Sequence, residues 1–436
     1  MPPRILDALR AALFPLGRVR GPVSTLNTAD LRAFRATLLG TLVTSVGLGL
    51  TLPFTFVYFD HVLGLALPIV GFVVAGAAVL ALGATAAGGV IADRIGLGRV
   101  AVLGLVLQAG GTTLLALARE PVAGAAGLAV LSMGNAFVWP SLNGLVTHQV
   151  PAERRSRAFA VRFGLMNVGL GAGSLTAATT VSVARPGSFH VVYLLDGAST
   201  AVFALILFVG LRNTAGWTAH AHRTREAAPT GYRTVLRDGH FVAYLVVLLA
   251  LAIFGSSQTE GPWAAFVALT PGGSTRVIGL GFAANTAAIV VFQLPVERWT
   301  RGLRRSRLLA SCALSGALAW VLTGIASLPG LPATVAGTLL VSALGVFGVG
   351  ETFLSPVINA VPNALAPDHL RGRYNALNSA TYPVSKFIGP PLAGVLIGSG
   401  TPNSWVGVVT IGMLVAAGGA VLLGRRLPLS VELAGR

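Results

Sequence analysis

Three ionisable side chains stand inside long apolar stretches of the chain: Glu260, Glu351 and Lys386. Charge in a hydrocarbon layer is expensive, so groups at such positions are the first pointers to function. The chemistry open to them is proton binding, ion pairing, or recognition of a charged ligand. Glu351 is the sharpest of the three. Counted at 1.5 Å per residue it lies about 15–20 Å from the end of its apolar run, near the middle of a membrane-sized layer. A carboxyl group there loses much of the hydration that supports its charge and is placed to exchange a proton. A structural, hydrogen-bonded role is the competing expectation.

Glu351 also marks a difference between two copies of one unit. Gly134, Phe137, Pro140, Asn143, Pro151, Arg155, Arg157 and Ala160 are each matched, 216 residues later, by Gly350, Phe353, Pro356, Asn359, Pro367, Arg371, Arg373 and Ala376. An ungapped repeat across half a chain predicts two structurally equivalent halves. Where the first copy has Asn135, the second has Glu351, and energy coupling is expected where the copies disagree.

The elements that must carry these residues follow from composition. The chain has 436 residues, 54% hydrophobic and only 10% charged, with a mean hydropathy of +0.77. Soluble domains carry about 25% charged residues, so this is an integral membrane protein in contact with the lipid bilayer. Apolar runs of spanning length recur near 34–58, 67–91, 99–118, 122–147, 157–183, 188–211, 240–269, 276–296, 307–327, 332–362, 374–399 and 403–424. Runs this long and unbroken predict an all-α fold of twelve transmembrane helices and exclude barrel strands.

Arginine placement orients the chain. Of 30 arginines, 27 fall in the N-terminal tail, the loops after even-numbered spans and the C-terminus, and Arg119, Arg185 and Arg276 fall on the other side. Positive charge stays cytoplasmic, so both termini are expected inside the cell (plasma or inner) membrane. The same placement removes nucleic acid as the reason for a net charge of +17. Residues 1–33 form a cytoplasmic tail with an interfacial helical pattern, 34–211 the first six-helix bundle, 212–239 a polar linker, 240–424 the second bundle and 425–436 a short tail. His220 and His222 in the linker lack a partnering ligand cluster. One cysteine, Cys312, allows no internal disulfide. A single lysine amid abundant Ala and Gly reads as a bacterial protein from a GC-rich genome.

At the end of the second span the chain reads Gly88-Gly89-Val90-Ile91-Ala92-Asp93-Arg94-Ile95-Gly96-Leu97-Gly98-Arg99. This resembles the loop 2–3 signature of the major facilitator superfamily, and twelve spans, a central linker and the half-repeat extend the resemblance over the whole chain. The resemblance implies two six-helix bundles rocking around a central site, probed from both sides of the membrane in turn. It gives Gly89, Asp93, Arg94, Gly96 and Arg99 the role of a conformational latch. Leu97 and Gly98 depart from the usual basic residues. Loop 8–9 carries a degenerate copy, with Gln293 for glycine and Glu297-Arg298 for the acid–base pair. Asn167-Val168-Gly169-Leu170-Gly171-Ala172-Gly173 and Gly389-Pro390-Pro391-Leu392-Ala393-Gly394 suit close packing between bundles, and the resemblance implies export.

Within that frame Glu351 and Glu260 are the expected proton-coupling groups, and Asn135, Trp139, Gln258, Trp263 and Lys386 the expected cavity lining. Lys386 is expected first to pair with Glu351, and otherwise to hold an anionic substrate or to snorkel. Asp196 and Asp60-His61 are expected near the outer face, in interfacial or packing roles. There is no phosphate-binding loop, metal cluster or nucleophile–base arrangement in the sequence, so no enzyme, cofactor or metal is expected. Transport would run on a proton gradient, with sodium as the other candidate ion, and the protein would act as a monomer on a small molecule. Nutrient or metabolite uptake is the alternative, and a non-transporting receptor or assembly partner on the same scaffold the third.

Overall fold

The computed structural model describes residues 28–218 and 232–433. The interfacial-helix expectation over the N-terminal tail and the two linker histidines lie outside those residues, except that the first helix already begins at Thr28. Twelve long helices run in order: α1, Thr28–Thr51, continued by irregular turns to Val62; α2, Leu67–Ile95; α3, Leu97–Leu117; α4, Pro121–Gln149; α5, Ala152–Thr180; and α6, Gly187–Leu211. The second set is α7, Gly239–Leu251, with its outer continuation Pro262–Leu269; α8, Thr275–Trp299; α9, Arg305–Ala326; α10, Ala333–Ile358, continued by Ala360–Leu365; α11, Arg371–Gly398; and α12, Asn403–Arg426.

Breakers set the boundaries. Proline opens α2 and α4 at their first turns, where its missing N–H costs nothing. Gly96, at φ +97°, separates α2 from α3 in a conformation that side chains rarely adopt. Asp238 and Ser274 cap α7 and α8 by accepting backbone N–H groups of the first turn. Pro356 lies inside α10, which breaks three residues later at Asn359, while α4 runs unbroken through Pro140.

Eleven of these helices are long and apolar enough to cross a membrane. The remaining one, α11, has 28 residues and ample length, but Tyr374, Asn375, Asn378, Tyr382, Ser385 and Lys386 make it more polar. Such a helix belongs where its polar face meets protein or water rather than lipid.

Contacts divide the helices into two halves. In the first, α1 packs on α5 and α6, α3 on α4 and α6, and α2 on α4; in the second, α9 packs on α10 and α12, α8 on α10, and α7 on α12. The repeat's glycines do the same work in both. A Cβ on Gly134 would lie 2.6 Å from the Gly104 carbonyl oxygen of α3, and one on Gly350 would lie 2.7 Å from Ser315 Cβ of α9.

Two helix pairs join the halves, α2 with α11 and α5 with α8. Both meet tightly at the end opposite the arginine-rich loops. A Cβ on Gly71 would stand 2.5 Å from the Pro390 carbonyl oxygen, and one on Gly279 2.6 Å from that of Ser174. Thr275 Oγ1 also donates to the Val181 carbonyl at 2.6 Å. Nearer the arginine-rich end, Cβ atoms on Gly89 of α2, Gly164 of α5 and Gly372 of α11 would meet nothing within 4 Å. The closest backbone contacts between the halves therefore lie at the far end. The helix-eleven glycine motif makes the expected contact between halves, whereas Gly169 and Gly173 of helix five pack on α1 of their own half and only Gly171 faces α8.

Short segments after each half's last helix fold back on the loop between its second and third helices. In the first half the Arg99 guanidinium lies over the Trp217 ring, 5.9 Å from its centroid. In the second, the fully buried Glu432 accepts the Ser306 N–H at 3.1 Å, and Arg305 donates to the Val431 carbonyl at 2.8 Å. The C-terminal stretch is thus docked through Leu433, capping the start of α9 with a carboxylate.

Candidate functional site

The polar groups of the second half gather where α7 breaks. Helix α7 leaves α-geometry through a π-turn, Ala252–Ser256, and stops at Glu260. Gly261 follows at φ +116°, and Pro262 restarts the helix. Only glycine suits that junction: its backbone needs the left-handed region, and a Cβ would also lie 2.6 Å from the Phe56 ring of α1. The break turns the Glu260 carboxylate toward α11. There Lys386 Nζ donates to Oε2 at 2.6 Å, and Tyr382 Oη donates to both carboxylate oxygens at 3.1 Å. Lys386 Nζ also sits 5.5 Å from the Tyr382 ring centroid. The side chains of Lys386 and Glu260 are 14% and 25% exposed, so the pair is shielded without being sealed.

Lys386 therefore pairs with Glu260 and not with Glu351, contrary to the first expectation. The break in α7 explains the difference: it swings a carboxylate across to α11 that an unbroken helix would have pointed elsewhere. Glu351 instead accepts a hydrogen bond at Oε2 from Asn285 Nδ2 of α8, at 3.1 Å. Gly348, one turn before it, lets α8 approach, since a Cβ there would lie 2.5 Å from the Asn285 carbonyl oxygen. Glu351 is close enough to Glu260 and Tyr382 to act on both electrostatically. Two carboxylates, one ammonium and one phenol thus gather at the α7 break, with the ammonium paired to Glu260.

Gln258 and Trp263 do not line the cavity. Both are fully buried. Gln258 donates to the carbonyls of Ile253 and Gly389 and accepts from Trp405 Nε1 at 2.8 Å, which closes the backbone gap left by the π-turn. Trp263 packs edge-on against Phe282 and reaches Thr323 Oγ1 at 3.4 Å. A helix break consumes local polar groups, and Gly261-Pro262 was the sign of it in the sequence.

In the first half, Asn135 and Trp139 do face a chamber. Asn135 accepts a hydrogen bond from Gln108 Nε2 of α3. Trp139 is 45% exposed, and the Arg162 guanidinium lies over its ring, 5.2 Å from the centroid. Arg162, counted among the loop arginines by sequence, sits ten residues inside α5, is 5% exposed, and donates to Asn143 Oδ1 at 2.7 Å. Its place inside the fifth run was legible, but its burial there was not. Asp196 is likewise not near an outer face. It lies nine residues into α6, 5% exposed, and accepts a hydrogen bond from Thr51 Oγ1 at 2.8 Å. Asp60 and His61, 3.6 Å apart, do lie at the far end as expected.

The latch residues hold the basic end of α2. The close contact falls at Gly88, whose Cβ would lie 2.7 Å from the Phe137 ring, and not at Gly89, which meets nothing. Gly96 faces the Trp217 carbonyl, 2.7 Å from where a Cβ would stand.

Comparison with known proteins decides the family. The sequence profile of the Major Facilitator Superfamily matches residues 37–272 and 261–435. The chain belongs to that superfamily. Among relatives of this superfamily member, a Na(+), Li(+), K(+)/H(+) antiporter of Planococcus maritimus is 22% identical over 82% of this chain and 88% of its own length. The multidrug resistance protein MdtH of Yersinia enterocolitica is 26% identical over 60% and 63%. A crystal structure of a POT family transporter in complex with 5-aminolevulinic acid superposes with a TM-score of 0.73, covering 93% of this chain and 98% of that one at 16% identity. The chain is a multi-pass membrane protein and a secondary transporter of this superfamily, not an enzyme.

Proposed function

We propose that this transporter is a proton-driven antiporter that exports small, largely apolar compounds from the bacterial cell by alternating access. The observation that carries the reading is the charged group at the centre of the second half, where Glu351 lies within electrostatic reach of a Glu260 already paired with Lys386. Protonation of Glu351 removes a negative charge from this group. The Lys386–Glu260 pair and Tyr382 then hold together without a competing carboxylate. Loss of the proton restores the competition, which gives the α7 break and α11 a reason to move. Glu351 serves as the proton carrier, Glu260 tunes it, and Lys386 with Tyr382 forms the switchable wall. Arg162 and the half-exposed Trp139 offer the opposing wall in the first half.

Support for export comes from the multidrug resistance relative, and support for proton exchange from the cation/proton antiporter. The arginine-rich end is cytoplasmic on this reading, so the closest contacts between the halves lie on the outer side, with both termini inside and the carrier working as a monomer. Asp93, Arg94 and Arg99 then form the part of the latch at the cytoplasmic end of α2 and the start of α3. The test is transport in proteoliposomes under an imposed proton gradient, with sodium and choline salts compared. Glu351→Gln should abolish proton-driven transport while leaving ligand exchange without a gradient intact. Unchanged driven transport in Glu351→Gln removes Glu351 as the carrier, and sodium dependence replaces the proton.

The polar character of the first-half wall, Asn143, Arg162 and the Gln108–Asn135 pair, favours a second reading, proton-coupled uptake or exchange of an anionic metabolite. Accumulation against a gradient into right-side-out vesicles, rather than depletion, selects it.

A further inference from the structure

We propose that Asp196 is a second proton-binding carboxylate, housed in its own wet chamber within the first half and separate from the Glu351 group. The inference extends the reading of a proton-driven carrier and places a titratable site on the half where the repeat shows only Asn135.

The chamber lies between α1, α3, α4, α5 and α6 and has a volume of about 70 Å³. A buried water needs roughly 10–15 Å³ by the same measure, so a few waters fit. Its lining is largely apolar but carries a cluster of polar groups: Thr44 and Thr200 hydroxyls 3.0 Å apart, the Gln108–Asn135 amide pair, the Arg162 guanidinium and the Asp196 carboxylate. An apolar cavity of this size would stay dry, whereas one with several donors and acceptors holds water.

Position gives the chamber a direction. Arg162 lies ten residues from the basic end of α5 and Asp196 fifteen from the basic end of α6. At 1.5 Å per residue the guanidinium root stands about 15 Å deep and the carboxylate root about 22 Å deep. The half-exposed Trp139 is at the shallower level. Protons arriving from the basic end thus meet Trp139 and Arg162 first, and reach Asp196 through water and hydroxyls. The glycine at position 47 brings the α1 backbone against Asp196, since a Cβ there would lie 2.6 Å from Oδ1.

The groups around Asp196 leave room for a proton. From α1 it receives only the Thr51 hydroxyl, with Tyr58 further along that helix. Its own helix brings Tyr193, α5 brings Arg162, and α3 and α4 bring amides and hydroxyls. Arg162 is thus the single permanent charge lining the chamber among the described residues. With Asp196 ionised, the chamber is neutral; when the carboxylate takes up a proton to become the acid, Arg162 is left as a net positive charge behind Trp139. The protonation state of Asp196 therefore sets the charge that the first half presents to the central opening.

The probe is the proton itself, read by attenuated-total-reflection infrared difference spectra of the full-length protein in lipid as buffer pH is stepped. Wild type should show carboxyl C=O bands that form and disappear reversibly. Asp196→Asn, which keeps an acceptor for Thr51, should lose one such band and retain the one that Glu351→Gln removes. Thr51→Val, which keeps the carboxyl and the helix packing, should displace the Asp196 band in frequency. An unchanged set of bands in Asp196→Asn, with the protein folded, overturns the proposal and leaves Glu351 untouched. If instead the Asp196 band titrates while Glu351→Gln transports normally, the carrier assignment of Glu351 falls and the Asp196 site stands. A band that sodium removes at constant pH assigns the site to a metal cation and overturns it as a proton site.

Discussion

The close contact between Gly71 and α11 makes a conformational prediction that can be worked from the structure. In Gly71→Ala the added methyl would stand 2.5 Å from the Pro390 carbonyl oxygen and 2.8 Å from Pro391 Cα. Both obstacles are backbone, and two consecutive prolines stiffen it, so neither yields by rotating a side chain. Overpacking of this kind costs about 1–3 kcal/mol. The cost falls only on the state in which the halves touch at the far end. The state with the far end open, where α2 and α11 have separated, is spared. A differential of this size shifts the equilibrium by about 5–150-fold toward the far-open state. Gly76→Ala, five residues along α2 with nothing within 4 Å, is the matched control.

Spin-label distance measurement reads the shift directly. His61 and Leu328 are exposed at the far end, one in each half, and both accept cysteine; the native Cys312 is buried and contributes little background. Gly71→Ala should transfer population to the longer distance, and Gly76→Ala should match the parent. A folded Gly71→Ala protein with the parent distribution would refute the claim that this glycine contact holds the far end shut.

Two other contacts give stability tests. Lys386→Met leaves Glu260 with Tyr382 alone, and should lower stability in detergent by about 1–3 kcal/mol, between exposed and fully buried pairs. Adding Glu260→Gln should recover part of the loss in a double-mutant cycle. Glu432→Ala removes the carboxylate that accepts the Ser306 N–H; it should cost about 1–2 kcal/mol, with hydrogen exchange quickened at the first turn of α9. An α9 start as protected as in wild type would show that the docked C-terminus contributes nothing there.

The fold was legible because the signals that specify it are long and redundant. All twelve expected runs fall on helices, and the arginine pattern assigns each loop to the end where it is found. The site was legible only in part. Glu351 was found because a lone carboxylate in an apolar run stands out at any register. Its partner was not, because Asn285 is an ordinary amide on another helix. The Lys386 pairing went to Glu260 because Gly261-Pro262 breaks α7, and the sequence shows a breaker without showing where the severed end points. Gln258 and Trp263 looked like cavity lining for the same reason, and the break consumes them. Arg162 was hidden by the rule that oriented the chain: although it fell inside the expected run 157–183, it was counted with the basic residues of the preceding loop.

The two halves therefore differ in more than the Asn135/Glu351 exchange. Fifteen residues before the last residue of α6 stands Asp196, and at the same distance from the end of α12 stands Ile411. Each half thus carries a carboxylate where the other is neutral, at similar depth but on non-equivalent helices: α6 in one, α10 in the other. Each half also carries a shielded cation, Arg162 in the first and Lys386, paired with Glu260, in the second. An equilibrium between two rocking bundles responds to a charge only if the charge interacts differently in the two states. The second-half group meets that condition because the α7 break and α11 lie beside the α2–α11 contact between halves. Asp196 packs within its own half, against α1, and so is placed to change what the first half offers a ligand more than how the halves meet. A carrier built this way separates the group that moves the bundles from the group that sets the charge of the binding wall. The Asp196→Asn and Glu351→Gln variants should then fail differently: the first in ligand affinity at fixed conformational populations, the second in the populations themselves.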